Sequence, residues 1–284
     1  MTIHFTKMHG IGNDYIYVDC TKNMLPDPAG VAIAMSPRHF SVGSDGLVLI
    51  CPSEIADAKM RMFNADGSEG KMCGNAIRCV GKYLYEHKMV PKEQMDIETL
   101  SGIKHLRLTT QNGHVQTVSV DMGHASFAPK DIPIDKDTPH IDEPIEVLGK
   151  TWHCTCVSVG NPHQVLYVDN VDDLELEKIG PAFEHHPMFL EGVNTEFVRI
   201  IDRHTLQMRV WERGSGETWA CGTGACAVVS ASVKNGIVDP ATPITVKLRG
   251  GELVITCTAD YQIEMCGPAA TVYEGVYEYE DSNQ

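Results

Sequence analysis

The chain matches itself when it is shifted by 148 residues. Cys73 and the glycine after it then fall on Cys221 and the glycine after it, and Gly12-Asn13 falls on Gly160-Asn161. The matches keep one order and one offset, and the best-kept positions are Gly, Asn, Glu and Cys. A repeat of this size restricts the fold, because both halves must adopt the same local structure. We therefore expect two halves of similar topology.

Each half contains the same succession of a strand, a polar loop, a Cys-Gly pair and a helix. In the first half Arg61–Asn64 is typical of a strand and residues 65–70 of a loop, and apolar residues at 76, 77, 80, 83 and 84 have helical spacing. In the second half Met208–Trp211 is the strand, residues 212–218 are the loop and Thr223–Val233 is the helix. The other apolar runs are strand-sized: Ile16–Val18, Leu47–Cys51, His105–Leu108, Val115–Val120, Thr155–Val159, Val165–Val168, Thr195–Ile201, Ile244–Leu248, Leu253–Cys257 and Thr271–Val276. The pattern predicts an α+β fold with two pseudo-symmetric β-rich domains, each wrapped around a central helix.

The domain boundary is expected near Met122–Asp131, where the repeat begins again. Four prolines make Pro129–Pro144 irregular. We therefore assign residues 1–122 to the N-terminal half, joined by residues 268–284, and residues 123–267 to the C-terminal half.

The charge and the start of the chain limit the classes of protein to consider. The formal net charge of −15 argues against nucleic-acid binding, because the phosphate backbone would be repelled. No apolar run approaches the roughly 18 residues of a membrane span. The start has no basic segment followed by an apolar one, so we expect no signal peptide. We expect a cytoplasmic protein whose ten cysteines are thiols rather than disulfides.

Cys73 and Cys221 each come directly before a predicted helix. Free N–H groups and the helix dipole lower the pKa of a thiol there, and the same N–H groups can hold a carboxylate. Inverting a carbon stereocentre needs a base on one face and an acid on the other. Two thiols at equivalent positions of a repeat offer this pair, so we predict an epimerase that needs no cofactor.

A redox or metal-binding protein that uses the same thiols is the alternative from another class. The spacings Cys73-x5-Cys79 and Cys221-x4-Cys226 spread the side chains around a helix, and the short knuckle of a zinc site is missing. We also expect no ligand pairing of Cys154 with Cys156, which lie in one strand. We therefore predict no metal site.

Six segments together resemble the diaminopimelate epimerase family, and the resemblance covers essentially the whole chain. The segments are Phe5–Tyr15, Phe63–Glu69, Met72–Cys79, Gly160–His163, Gly192–Glu196 and Glu212–Gly224. The family is independent of pyridoxal phosphate and acts in bacterial lysine and cell-wall biosynthesis. The resemblance implies interconversion of LL- and meso-2,6-diaminopimelate by a homodimer of two-domain chains.

The resemblance also implies site residues. Cys73 and Cys221 would be the acid/base pair, with His163 and Glu212 tuning their pKa values. Glu212 stands where the first half has Asn64, which would break the symmetry around an asymmetric substrate. The expected contacts to the reacting carboxylate and amino group are Gly74, Asn75, Gly222 and Thr223, with Glu212 beside them. The expected contacts to the distal, unreacting end are Asn13, Asn64, Asn161, Asn194 and Arg213.

A proline racemase or hydroxyproline epimerase is the nearest alternative enzyme, because it shares the two-cysteine mechanism. Those relatives carry His after the first Cys-Gly, where this chain has Asn75. A phenazine-type isomerase of similar fold would lack both cysteines. Gly46 stands where some diaminopimelate epimerases carry Gln, so no substrate contact is assigned to it.

Overall fold

The computed structural model describes residues 1–280 of the 284-residue chain. The strands are β1 (Thr2–Gly10), β2 (Asn13–Asp19), β3 (Gly46–Cys51), β4 (Ala58–Asn64), β5 (Glu69–Gly70), β6 (Gln94–Thr99), β7 (Gly102–Gln111), β8 (His114–His124), β9 (Glu143–Val147), β10 (Lys150–Ser158), β11 (Pro162–Tyr167), β12 (Asn194–Asp202), β13 (Thr205–Glu212), β14 (Gly216–Glu217), β15 (Ile244–Leu248), β16 (Gly251–Cys257), β17 (Gln262–Gly267) and β18 (Ala270–Glu278). The α-helices are α1 (Pro28–Met35), α2 (Gly74–Glu86), α3 (Leu176–Glu184) and α4 (Gly222–Lys234), and Pro129–Asp131 forms a 3₁₀ turn.

The chain divides into two compact units. Unit 1 contains residues 1–120 and returns from residue 267 onward, and unit 2 is the continuous segment Asp121–Cys266. The chain passes from one unit to the other inside β8 and inside β17. Each unit is β-rich and contains one helix of 13 residues, α2 or α4. The predicted α+β class is confirmed.

Unit 1 is organised around β1 and the long helix α2. β1 pairs antiparallel with β2 on one side and with β18 on the other, so the late strand β18 belongs to the same unit as β1. All six residues of β3 are buried, and its side chains pack with Val31 and Met35 of α1. The apolar residues of α2 that have helical spacing, from Ala76 to Leu84, are buried as their periodicity predicts.

Unit 2 follows the same plan. α4 consists mostly of small residues, and ten of its 13 residues are buried. A second apolar core forms where α3 packs against β10, β12 and β13, with Phe183, Phe197 and Trp152 meeting edge to face. Gly180 of α3 has no room for a side chain, because a Cβ there would lie 2.2 Å from the ring of Trp211.

The strand register confirms the repeat. β2 and β3 are parallel, with Tyr15 opposite Gly46, and β11 and β12 are parallel, with His163 opposite Asn194. Both members of the second pair lie 148 residues after those of the first. The hairpin of β4 with β5 and the hairpin of β13 with β14 also repeat at this offset. Equivalent positions of the two units can therefore be compared residue by residue.

Several elements differ from the sequence-based expectation. α1 and α3 were not predicted, and neither were β1, β6, β9 and β17. The loops at 65–70 and 212–218 each contain a two-residue strand, β5 or β14, because they close as tight hairpins. Within residues 1–280, no helix has the length and apolar character to cross a membrane.

Candidate active site

Cys73 occupies the N-cap position of α2. Its backbone is extended, with φ −134° and ψ 123°, and Gly74 begins the helix. The first N–H groups of a helix have no partner inside the helix, so a helix N-terminus can bind an anion. The thiol is half-buried and donates a hydrogen bond to Asn13 Oδ1 at 3.4 Å. The first half-site thus combines a thiol with a helix N-terminus.

A polar network fixes the amide of Asn13 beside this thiol. Asn75 Nδ2 also donates to Asn13 Oδ1, at 3.3 Å, and Asn13 Nδ2 donates to Asp45 Oδ2 at 2.7 Å. Asn75 Oδ1 accepts from Arg78 Nη2 at 2.9 Å. The fully buried Arg78 also donates to the carbonyl of Gly74 at 3.1 Å. These bonds orient the start of α2 and the oxygen that faces the thiol.

Gly10 allows α2 to approach β1 closely at this point. A Cβ at Gly10 would lie 2.8 Å from Arg78 Nη2 and 3.0 Å from atoms of Asn75. Arg78 is held by its hydrogen bonds and cannot yield easily. The position of Asn75 therefore depends on the absence of a side chain at residue 10.

Tyr15 is a buried neighbour of Cys73 that the sequence analysis did not assign. Burial raises the pKa of its phenol well above the usual value, and the charges of Cys73 and Asp45 raise it further. Tyr15 stands where unit 2 has His163, so the repeat offset was the signal that could have identified it. The phenol stays protonated beside the thiol.

Asn64 lies apart from this network. Its side chain is exposed, and Nδ2 donates to Ser68 Oγ at 2.9 Å. Asn64 pairs with Gly46 across β3 and β4. A Cβ at Gly46 would lie 2.0 Å from the carbonyl oxygen of Phe63, so this backbone has no space for a longer residue there.

Cys221 occupies the same N-cap position on α4. Its Sγ accepts a hydrogen bond from Gly224 N at 3.3 Å and lies 3.5 Å from Thr223 Oγ1. The thiol is buried, and a Cβ at Gly224 would lie 3.2 Å from the sulfur and 2.8 Å from Glu196 Oε1. The second half-site is therefore more enclosed than the first.

A hydrogen-bonded chain leads from the start of α4 to the buried side chains of His163 and Glu196. Asn161 Nδ2 donates to Thr223 Oγ1 at 3.4 Å, and Asn161 Oδ1 lies 2.9 Å from Nε2 of His163. Nδ1 of His163 lies 2.7 Å from Glu196 Oε1, and both side chains are fully buried. Both ring nitrogens thus lie beside side-chain oxygens, which fixes the orientation of the imidazole.

Glu196 is a site residue without an assigned role in the sequence analysis. It is a fully buried carboxylate in β12, and its second oxygen, Oε2, has no hydrogen-bond partner among the described residues. The signal for it was an acidic residue within the buried first part of β12, since buried charges are rare unless they are paired or functional.

Two carboxylates act on the Cys221 thiol. Burial raises the pKa of Cys221 well above its ordinary value, and the charges of Glu212 and Glu196 raise it further. Burial also raises the pKa of Glu212, although hydrogen bonds with Thr218 and Cys221 act in the opposite direction. Cys221 is therefore a thiol at neutral pH in this arrangement.

Asn194, the first residue of β12, and Arg213 are joined by a hydrogen bond. Asn194 Oδ1 accepts from the backbone N–H of Arg213 at 2.9 Å, and its Nδ2 donates to the carbonyl of Pro162 at 2.7 Å. The Asn194 amide is thus occupied by backbone groups. The exposed guanidinium of Arg213 donates to the carbonyl of Glu191 at 3.1 Å.

The structure brings most of the sequence-predicted residues into two half-sites. Cys73, Gly74, Asn13 and Asn75 meet in unit 1, apart from Asn64. In unit 2, the grouped residues are Cys221, Gly222, Thr223, Asn161, His163 and Glu212. A potential set of metal ligands within the described residues consists of His140, Cys154 and Cys156, and neither cysteine of the half-sites belongs to it.

The comparisons with known proteins give a consistent result. The family model described as diaminopimelate epimerase matches residues 5–128 and 155–272. The diaminopimelate epimerase of Acetivibrio thermocellus is 57% identical over 275 residues, which is 96% of this chain and 98% of that protein. The diaminopimelate epimerase of Methanococcus maripaludis strain S2 is 55% identical over 273 residues, covering 95% of this chain and 98% of that protein.

Solved structures with low sequence identity share the fold. A hydroxyproline epimerase from Agrobacterium vitis has a TM-score of 0.73 at 14% identity, covering 99% of this chain and 94% of that one. A phenazine biosynthesis protein of the PhzF family from Bacillus anthracis has a TM-score of 0.71 at 17% identity, covering 98% of this chain and all of that one. These similarities show the two-domain architecture alone.

Proposed function

Because this chain belongs to the diaminopimelate epimerase family, we propose that it interconverts LL- and meso-2,6-diaminopimelate by a two-base mechanism. Cys73 and Cys221 are the acid and the base. One thiolate removes the hydrogen from the α-carbon, and the other thiol delivers a proton to the opposite face. The observation that carries the proposal is a cysteine at the N-cap of the buried helix of each unit, at equivalent positions of the repeat.

The α-hydrogen of an amino acid is far less acidic than a thiol, so the site must stabilise the negative charge that develops. Backbone N–H groups at the starts of α2 and α4 can do this by holding the α-carboxylate. Gly74, Asn75, Gly222 and Thr223 are the residues at these two positions. In this proposal Glu212 accepts a hydrogen bond from the substrate's reacting amino group beside Cys221.

The raised pKa of Cys221 supports a starting state of the reaction in which this thiol is protonated. Burial and the neighbouring carboxylates keep this thiol protonated, so Cys221 begins as the acid. After its thiol has released its proton to solvent, Cys73 acts as the base toward the isomer whose α-hydrogen faces it. The roles exchange in the reverse direction, and the chain from Thr223 to His163 tunes the second thiol.

The distal end of the substrate carries a second amino-acid group. We assign Asn13, Asn64 and Asn161 to its polar contacts, and Arg213 to its carboxylate, because a guanidinium can bind a carboxylate through two parallel hydrogen bonds. Asn194 acts differently in this proposal. Its amide is used by backbone groups, so it holds the backbone of Arg213 in position.

Further parts of the proposal concern the molecule as a whole. The enzyme acts without a cofactor, as a cytoplasmic homodimer in the synthesis of lysine and peptidoglycan precursors. Residues 1–122 with 268–284 and residues 123–267 form the two catalytic domains. We propose no nucleic-acid or membrane partner.

Incubation with LL-diaminopimelate in heavy water, without pyridoxal phosphate, tests the proposal. We expect the meso isomer with deuterium at the inverted α-carbon, because the incoming proton comes from a solvent-exchanged thiol. L-Proline is the parallel substrate. Deuterated proline without turnover of diaminopimelate would replace the proposed substrate, and no exchange in either substrate would refute the mechanism.

Cysteine variants separate the mechanism from the fold. Cys73→Ala and Cys221→Ala should each lower kcat by about 10²–10⁴-fold, which is the usual contribution of a positioned acid or base. Cys257→Ala is the matched control, because Cys257 is another buried cysteine of unit 2 and lies outside both half-sites. Full activity in either half-site variant, with an unchanged circular dichroism spectrum, would exclude the two-thiol mechanism.

A further inference from the structure

His140, Cys154 and Cys156 form a buried cluster in unit 2 that shares no residue with the half-sites. Their potential ligand atoms all lie within 4.8 Å of one another. The exposed fraction is 0% for His140 and Cys156 and 1% for Cys154. Residues i and i+2 of a strand point to the same face, so both cysteines of β10 face the cluster. The two sulfurs, for which no ligand pairing is expected from the sequence, therefore lie close together.

His140 is a buried polar side chain whose ring nitrogens make no hydrogen bond to any described residue. Neither Nδ1 nor Nε2 has such a bond within residues 1–280, although buried polar atoms nearly always have one. Its backbone is fixed, because the carbonyl of His140 accepts from Cys156 N at 2.8 Å. The imidazole is thus held beside the two thiols. The carboxylate of Glu143 approaches Nδ1 without the alignment of a hydrogen bond, and Nε2 has no hydrogen-bond partner among the described residues.

Glu143 lies next to the same cluster. It pairs with Cys154 across β9 and β10, and its Oε2 lies 3.0 Å from Nδ1 of His140. The side chain of Glu143 is 42% exposed, so the carboxylate marks the side of the cluster that opens to solvent.

We propose that His140, Cys154 and Cys156 bind a thiophilic divalent cation of the zinc class, with Glu143 as the fourth ligand. Imidazole nitrogen, thiolate sulfur and carboxylate oxygen are the ligands of tetrahedral zinc sites. With bonds of about 2.0–2.3 Å, the ligand atoms of such a site lie about 3.3–3.8 Å apart. To reach this geometry, the ligand atoms of His140, Cys154 and Cys156, which lie within 4.8 Å of one another, move closer together, and the Glu143 carboxylate moves toward the sulfurs. Each thiol releases its proton to solvent when its sulfur binds the cation.

The surroundings favour a structural role for this cation. The cysteines belong to the apolar core of unit 2, beside Ile134 and Ile145. A filled set of four protein ligands leaves no open position for a substrate. The cation would tie the irregular, proline-containing segment before β9 to strand β10. It would therefore stabilise unit 2 without taking part in the epimerase reaction.

Lys136 is the nearby cation that the metal must replace. Its Nζ lies 3.0 Å from Glu143 Oε2, and its side chain is 34% exposed. Exposed ion pairs contribute little to stability, so moving this lysine into solvent costs little. The fourth ligand then becomes available to the metal.

Cobalt titration of the chelator-treated, reduced full chain tests the proposal. Zn²⁺ gives no visible spectrum, whereas Co²⁺ bound to thiolates gives a charge-transfer band. We expect one equivalent of Co²⁺ per chain to produce this band and Zn²⁺ to abolish it. Zn²⁺ should also raise the unfolding temperature in a concentration-dependent manner, because it binds the native state.

The variants distinguish this site from the half-sites. Cys154→Ala, Cys156→Ala and His140→Gln should each weaken or remove the band, whereas Cys257→Ala and Cys73→Ala should keep it. No band in the folded wild-type chain would refute the proposal, whether or not the variants fold. A band that survives in Cys154→Ala, or that disappears in Cys73→Ala, would assign the cation to other ligands and refute it as well.

Discussion

Single residues distinguish two half-sites that share a backbone plan. The N-cap cysteine is kept, but Tyr15 of unit 1 corresponds to His163 of unit 2, and Asn64 corresponds to Glu212. Unit 1 thus surrounds its thiol with neutral groups and Asp45, whereas unit 2 has carboxylates next to its thiol. This difference between the surroundings of the two thiols matches an asymmetric substrate that has one reacting and one unreacting end.

Glu212→Gln should make Cys221 easier to alkylate at neutral pH. The charge of Glu212 raises the pKa of the thiol, after the larger effect of burial. Removing the charge lowers that pKa, and the thiolate fraction at fixed pH rises. We expect the rate of iodoacetamide labelling at Cys221, followed by peptide mass spectrometry, to increase about two- to tenfold.

Glu252→Gln is the control for this change, because Glu252 is an exposed carboxylate of the same unit. It should leave the labelling rate of Cys221 unaltered. Equal rates in Glu212→Gln and the wild type would mean that the thiol does not sense this carboxylate.

The same substitution should change how stability depends on pH. Burial raises the pKa of Glu212 in the folded state above its ordinary value of 4.5. Ionising the group in the folded state therefore costs free energy. This cost grows as the pH rises from about 4.5, the ordinary value, to the raised folded-state pKa, and it is constant above that pKa. We expect Glu212→Gln to gain unfolding temperature relative to the wild type over this interval. A constant difference across this range would contradict the raised pKa.

The role of a residue was predictable where local sequence signals mark the start of a helix. A Cys-Gly pair before an apolar helical pattern predicted both N-cap thiols, because a helix needs few local signals to begin. Glu196 was not predictable in its role. Its partner His163 lies on a different strand, and only the parallel pairing of β11 with β12 brings the two side chains together.

At the scale of elements, the approach of α2 to β1 determines where the first half-site forms. Gly10→Ala should lower the free energy of unfolding by about 1–3 kcal/mol, because the new methyl group meets the buried Arg78 and Asn75. A shifted Asn75 should also lower kcat. Chemical denaturation and steady-state kinetics measure the two effects.

Gly81→Ala, in helix α2, is the control for Gly10→Ala. A Cβ there would meet the end of the flexible Leu106 side chain at 2.8 Å, and alanine gains about 1 kcal/mol of helix propensity over glycine. The net change should stay within about 1 kcal/mol. Equal destabilisation by both substitutions would show that Gly10 is not a special point of contact.

The long helices were predictable, but the short ones were not. α2 carries a clear apolar stripe, whereas α1, with the sequence PAGVAIAM, is apolar on all sides and has no periodicity to read. α3 contains Pro181, which predicts a break rather than a helix. Tertiary packing overrides both signals, since α1 and α3 each cover a buried sheet.

At the scale of the whole molecule, unit 1 depends on a strand that lies far along the chain. β18 pairs with β1 from Thr2↔Glu278 to His9↔Ala270, and the following Tyr279 is buried against α1. A chain that stops after Gly267 should lose this pairing and expose the edge of β1. We expect a large loss of folded protein, measured by yield and thermal unfolding.

A chain that stops after Glu280 is the control, because it keeps every described contact of β18. It should unfold at the temperature of the full chain. Normal stability of the chain that stops after Gly267 would show that β18 is dispensable.

The return of β18 also sets the order in which the protein can mature on the ribosome. Unit 2 is one continuous segment, so it can fold as soon as it leaves the exit tunnel. β1 is made first but acquires its second neighbour only after about 270 further residues, which take roughly 15–55 s at usual rates of synthesis. For that period the edge of β1 is a template for wrong pairing. Chaperone binding during translation should therefore concentrate on the earliest part of the chain.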